Sequence, residues 1–127
     1  LGDVYKRQAV NGQVNDLFYY YREQAALKAR QYQRALDDIV KAIELSPKDL
    51  TYRAEHAVVN LRVGRYEESM KILNEILKDE PKYGEAYRLL GLCQIQLKKT
   101  DEACGNFNKA KELGDPNVDE LIKKYCK

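Results

Sequence analysis

Catalysis needs side chains that converge on one point with matched proton affinities, and this chain offers few of them. His56 is the single histidine in 127 residues, so histidine-based triads and multi-histidine metal sites have little to be built from. Asp37-Asp38 and Glu67-Glu68 are adjacent acidic pairs. Helical neighbours at i and i+1 point in different directions, so neither pair can share a substrate. Both read instead as first-turn charges favoured by the helix dipole. Cys93, Cys104 and Cys126 are odd in number and lack C-x-x-C spacing, which argues against a disulfide framework. Cys93 and Cys104 fall on apolar helical stripes, where a free thiol acts as a small hydrophobe. The glycines at 64, 84, 91, 105 and 114 do not form a phosphate-cradling loop and mark turns or close helix crossings. These side chains predict neither an active centre nor a bound cofactor or metal.

Composition narrows the partner class. The 22 Lys and Arg residues nearly cancel the 20 Asp and Glu residues, for a net charge of +2. The signs are interspersed rather than gathered into the basic stripe of a nucleic-acid binder. Lys98-Lys99 and Lys123-Lys124 are short enough to be solvated faces. A membrane span needs roughly 18 consecutive apolar residues, and Leu89 to Cys93 is about the longest apolar run. Hydrophobic residues make up 44% of the chain, enough for the core of one domain or a short repeat array.

The elements that carry these residues recur. RQYQRALDDIVKAIELSP, starting at Arg30, slides by 34 onto GRYEESMKILNEILKDEP and again onto KKTDEACGNFNKAKELGD. In that register Ala35, Ser69 and Ala103 align, as do Ile39, Leu73 and Phe107, and Pro47 falls on Pro81. The preceding half-period repeats too: Tyr19 aligns with Arg53 and Tyr87, Glu23 with Ala57 and Gly91, and Leu27 with Leu61 and Ile95. Apolar residues in each half recur at steps of three and four, the mark of a helix packed on one side. Two helices per period follow, broken near Arg30-Gln31, Gly64-Arg65 and Lys98-Lys99, with stops at Ser46-Pro47, Glu80-Pro81 and Gly114-Asp115-Pro116. Asp115 before Pro116 reads as a capping residue followed by proline at the first helical position. The tail NVDELIKKYCK predicts a last helix, with Val118, Leu121, Ile122 and Tyr125 on its apolar face.

The 34-residue period of paired helices resembles the tetratricopeptide repeat family. Tyr19 and Tyr87 match its early aromatic, Ala57 and Gly91 its small residue four positions later, and Ala35, Ser69 and Ala103 the small residue at the helix crossing. Glu23 at a small position, Arg53 at the aromatic position and Asp115 for proline depart from the pattern. The resemblance implies an all-α fold, a right-handed α-solenoid of antiparallel helix pairs. Its repeats would span 16–49, 50–83 and 84–117, with a capping helix over 118–127 that gives the array a polar outer side. His56 falls where the family places a large inward-facing apolar residue, so it is expected to be packed rather than catalytic.

The resemblance also implies a non-enzymatic scaffold that binds a protein or peptide in a concave groove lined by the first helix of each repeat. Carried over by position, that face comprises Leu17, Tyr20, Gln24 and Lys28, then Thr51, Ala54, Val58 and Arg62, then Glu85, Arg88, Leu92 and Gln96. Leu17, Val58 and Leu92 read equally well as partly core. The polar members suit an extended or helical ligand with some acidic character. Family members that clamp the acidic carboxyl-terminal tail of a chaperone use lysines, an arginine and asparagines. The matching positions here are Tyr20, Gln24, Glu55, Glu85 and Leu89, which do not fit such a tail. Two other readings compete: the carbohydrate-binding part of a bacterial outer-membrane nutrient-binding lipoprotein, motivated by the tyrosine cluster, and the regulatory tail of an enzyme with an upstream catalytic domain.

The octapeptide LGDVYKRQ resembles a translated sequencing adaptor, which implies a reading frame from shotgun, metagenomic assembly and an intact polypeptide longer than this chain. Ala9 to Asn15 reads as the tail of an upstream repeat, with Asn11-Gly12 as its turn. Phe18 to Tyr21 are four consecutive aromatics that cannot share one helix face, so part of that surface is expected to pack on something before residue 9.

Overall fold

The computed structural model describes residues 15–127; the readings of the octapeptide and of the Asn11-Gly12 turn lie outside the described residues. Among the described residues all regular structure is helical: α1 (Asp16–Lys28), α2 (Tyr32–Leu45), α3 (Leu50–Arg62), α4 (Tyr66–Asp79), α5 (Gly84–Gln96), α6 (Thr100–Glu112) and α7 (Asp119–Tyr125). The chain divides into two compact units, the second beginning at Asn60 within α3.

The 34-residue period is written into the backbone. Arg30, Gly64 and Lys98, the residues that follow α1, α3 and α5, have φ of 61°, 87° and 64°. At each, the next N–H reaches back five residues, from Gln31 to the Ala26 carbonyl (2.8 Å), Arg65 to Asn60 (2.9 Å) and Lys99 to Gln94 (2.8 Å). This left-handed closure satisfies carbonyls that a helix end otherwise leaves bare. Asn15 does the corresponding work at the start of α1, where its Oδ1 accepts from the Leu17 N–H at 3.0 Å.

In the first unit α1 packs on α2, and small residues set the approach. Ala26, Ala35 and Ala42 are buried with Leu27, Ile39, Tyr52 and Val59, so backbones come close where alanine stands and larger side chains fill the remainder. The Tyr52 hydroxyl donates to Asp16 Oδ2 at 2.5 Å. Burial and the neighbouring Asp16 both push the Tyr52 phenol above its ordinary range. Asp38 departs from its reading as a first-turn charge. It lies beyond the first turn of α2 and is buried, gripped by Arg22 through Nε–Oδ2 at 2.9 Å and Nη2–Oδ1 at 2.8 Å. The same guanidinium lies 5.0 Å from the Phe18 ring centroid. Glu67 and Glu68 do occupy the first turn of α4.

The second unit is organised about Phe107, fully buried with Ala103, Ala110 and Val118. Its ring lies against Gly91 of α5, where an added Cβ would sit 2.3 Å from Cε1; the family's small position is here a steric requirement. Gly105 has nothing within 4 Å of such a Cβ, so packing does not account for it. Leu121, Ile122 and Tyr125 of the final helix pack on the Phe107 cluster. That helix begins at Asp119, three residues after Pro116. Asp115 accepts from the Asn117 N–H at 2.7 Å, closing a turn instead of capping α7. The cysteine reading is overturned: Cys104 on α6 and Cys126 just past α7 form a disulfide across 22 residues. Cys93 is the free thiol among the described residues; it is buried, and burial pushes it above its ordinary range.

Candidate functional site

Which of the residues assigned to a binding face have surface to offer depends on what the core has already claimed. In the first unit, Tyr20 and Gln24 stand one turn apart on α1, and Gln24 Nε2 donates to the Tyr20 hydroxyl at 2.8 Å. The Tyr20 ring rests 5.2 Å from that of Tyr52, which holds it in place at the edge of the buried cluster. Its phenol is raised by burial first and by the nearby Glu55 carboxylate second. Lys28 is exposed at the end of α1. On α3, Ala54 is only 2% exposed and presents no surface to a ligand. Val58 is half-buried against the core, consistent with its double reading.

Behind Tyr20 and Gln24 lies Glu23, the departure from the small-residue pattern. It is fully buried, and neither oxygen has a hydrogen-bond partner. Glu55 of α3 faces it. Burial, then the Glu55 carboxyl, then Asp38, push the Glu23 carboxyl up to about 9. Glu23 is therefore neutral in the folded protein at pH 7.

In the second unit the polar face is partly spoken for. Arg88 on α5 binds Asp115 through Nε, at 3.2 Å to Oδ1 and 3.0 Å to Oδ2. It also lies 3.9 Å from Glu85. Since the Asp115 side chain is 3% exposed, this pair is structural, and Arg88 brings little net positive charge to a ligand. That corrects the expectation that it would attract an acidic segment. Glu85 is half-buried and accepts from the Tyr83 hydroxyl at 3.3 Å. Leu92 packs against the Phe107 cluster. Arg62 and Gln96 are exposed. His56 is half-buried.

The aromatic run is largely engaged with itself. Phe18 and Tyr19 meet edge-on at 5.5 Å, and Tyr20 and Tyr21 are tilted at 5.5 Å; only Tyr21 of the four is classed as exposed. Asp38, Asp115 and Glu23 were the residues whose roles the sequence reading missed. For Glu23 a signal existed: a charged residue at a position otherwise held by Ala57 and Gly91. For the two aspartates the partners lie 16 and 27 residues away, outside any local pattern.

Helix hairpins closing on left-handed residues at 34-residue intervals, each with polar and aromatic side chains on its first helix, define a helical-repeat protein. A model of the tetratricopeptide repeat matches residues 26–89, and the chain belongs to that family. It is 30% identical over 78% of its length to the small glutamine-rich tetratricopeptide repeat-containing protein 2 of Mycosarcoma maydis. It is 32% identical over 76% to the heat shock protein STI1 of Saccharomyces cerevisiae. The chain spans 28% and 17% of those two proteins. Among solved structures, the first TPR domain of human RPAP3 matches with a TM-score of 0.77 at 20% identity, covering 87% of this chain and 88% of that one. The first TPR of Spaghetti (RPAP3), bound to the HSP90 peptide SRMEEVD, matches at 0.75 and 19%, covering 87% and 90%. The all-α helical-repeat fold is thereby shown. No helix among the described residues is long and apolar enough to cross a membrane.

Proposed function

We propose that this chain is a binding module that holds a peptide or helical segment of a partner protein on the first helices of its repeats and catalyses no reaction. The observation that carries the reading is the set of side chains left over once the core is accounted for. Tyr20, Gln24, Lys28 and Val58 in the first unit, and Arg62, Glu85, Leu92 and Gln96 in the second, combine apolar bodies with hydrogen-bonding ends. Such mixtures suit an extended or helical protein segment. The repeats we assign to 16–49, 50–83 and 84–117 each contribute one of these helices. Support comes from relatives whose structures hold peptides: the RPAP3 domain with SRMEEVD and the second RPAP3 domain with the HSP70 peptide SGPTIEEVD. For this chain an acidic tail is a poor ligand, because Glu55 and Glu85 stand at the clamp positions.

The carbohydrate reading loses its main support, since three of the four clustered aromatic rings are half-buried and sugars stack on exposed ring faces. Titration of the chain with a fluorescent peptide library and, in parallel, with a glycan array tests the proposal. Peptide binding that weakens at least tenfold in Tyr20→Ala is the expected result. Saturable glycan binding with no peptide binding would overturn it.

A further inference from the structure

The helix that the disulfide closes over has little of its own to hold it. α7 is seven residues long, too short to persist on backbone hydrogen bonds alone, and no side chain among the described residues caps its start. None of its residues is fully buried. Leu121, Ile122 and Tyr125 are half-buried on the Phe107 cluster, with the Tyr125 ring stacked on that of Phe107 at 6.5 Å. The Lys111–Asp119 ion pair, at 3.4 Å, is exposed and contributes little. The segment before the helix is pinned independently: Val118 is fully buried, and Asp115 is gripped by Arg88. The far end is pinned by the bond from Cys126 to Cys104, in the second turn of α6.

We propose that Cys104–Cys126 is a site of thiol–disulfide exchange with a dithiol reductant, and that its reduction unlatches α7 from Phe107, back as far as Val118, while the rest of the second unit stays folded. Access separates these sulfurs from the third: Cys104 and Cys126 are half-buried, whereas Cys93 is fully buried. Cys126 is the sulfur attacked. It stands past the end of α7 on extended backbone. Lys123, Lys124 and Lys127, its neighbours in sequence, are exposed, a positive setting that favours an approaching thiolate. The reductant's first thiolate bonds to Cys126 Sγ, the Sγ–Sγ bond breaks, and Cys104 leaves as a thiolate that takes up a proton. The second thiolate then closes on the reductant's own first sulfur and releases Cys126, which is protonated in turn. Two electrons have passed to the protein, the two protons shed by the dithiol are matched on the cysteines, and the reductant departs as a cyclic disulfide. Three half-buried side chains are then left to hold α7, whereas α6 stays seated on α5 through Phe107 against Gly91. Because the turn before α7 remains pinned, the helix can dock again, and oxidation restores the latch.

The test measures backbone order by NMR relaxation in the full chain, oxidised and after dithiothreitol. On reduction, order parameters over Leu121 to Tyr125 are expected to fall from about 0.85 to below about 0.6, while those of Ala103 to Ala110 hold. Trypsin is expected to cut after Lys123 and Lys124 at least tenfold faster. Iodoacetamide is expected to label Cys104 and Cys126 in the reduced native chain and to spare Cys93. Cys126→Ser is expected to show the mobile α7 with or without dithiothreitol, which assigns the effect to the bond. An α7 that stays ordered after complete reduction would overturn the latch, and so would equal loss of order in α6, which means that the unit melts as a whole. A bond that survives dithiothreitol in native buffer would overturn the exchange site.

Discussion

Two glycines on adjoining helices should respond to the same substitution with opposite signs. Replacing a helical glycine by alanine contributes about 1 kcal/mol, because the backbone loses less freedom on folding. At Gly105 nothing lies within 4 Å of the new methyl, so Gly105→Ala should show that gain in full. At Gly91 the methyl would stand 2.3, 2.6 and 3.0 Å from three carbons of the Phe107 ring, where carbon atoms prefer about 3.5–4.0 Å. A ring buried on every side cannot swing away, and overpacking of this kind costs about 1–3 kcal/mol, at times more. Taking the upper end and subtracting the helical gain leaves Gly91→Ala about 2 kcal/mol less stable than wild type. The two variants should thus differ by about 3 kcal/mol. Urea unfolding followed by circular dichroism reads this as midpoints separated by roughly 1–2 M for a typical slope. Phe107→Leu should recover part of the Gly91→Ala loss, since the double mutant removes the contact that causes it. A Gly91→Ala variant as stable as wild type would refute the argument that the ring sets the helix spacing.

The turn residues offer a second pair. Lys98→Gly should stabilise by about 0.5–1 kcal/mol, as glycine accepts the left-handed backbone that lysine adopts at a cost, while Gly64→Ala, one period away, should destabilise by about 1 kcal/mol. Both are read from thermal midpoints. Loss of the Cys104–Cys126 bond, by Cys104→Ser or by reduction, should cost about 3 kcal/mol for a loop of this length. An unchanged melting curve in reductant would show that the bond is not formed in solution. Glu23 links stability to pH. Its folded-state affinity for a proton is raised to about 9, far above that of an unfolded glutamate at about 4.3. The folded chain therefore holds a proton that the unfolded chain has lost, and stability should fall as pH rises from 5 to 8, by up to about 1.4 kcal/mol per unit from this group. Glu23→Gln should flatten that slope and be the more stable form at pH 8.

The sequence made the hairpins legible because their determinants are local. Apolar spacing, prolines after α2 and α4 and the 34-residue recurrence place every helix among the described residues. The paired charges were opaque for the opposite reason. Asp38 looked like a helix-start charge because its partner, Arg22, is on another helix, and Arg88 looked available because Asp115 closes on it from 27 residues away. Counting cysteines failed because parity says nothing about which two meet; Cys126 reaches Cys104 only once α7 has folded back onto Phe107. At the candidate site, helical spacing correctly put Tyr20 and Gln24 together. It could not tell that Ala54 is covered, because a small residue reads alike whether it lines a surface or lets two helices touch.

The Cys104–Cys126 bond also decides where mechanical load travels. Tension on the backbone beyond Cys126 passes through sulfur to the middle of α6 instead of unzipping the last helix turn by turn. An oxidised chain tethered by that end would then be held at the helix that carries Phe107, the largest of its fully buried side chains, whereas a reduced one would be pulled through α7 alone.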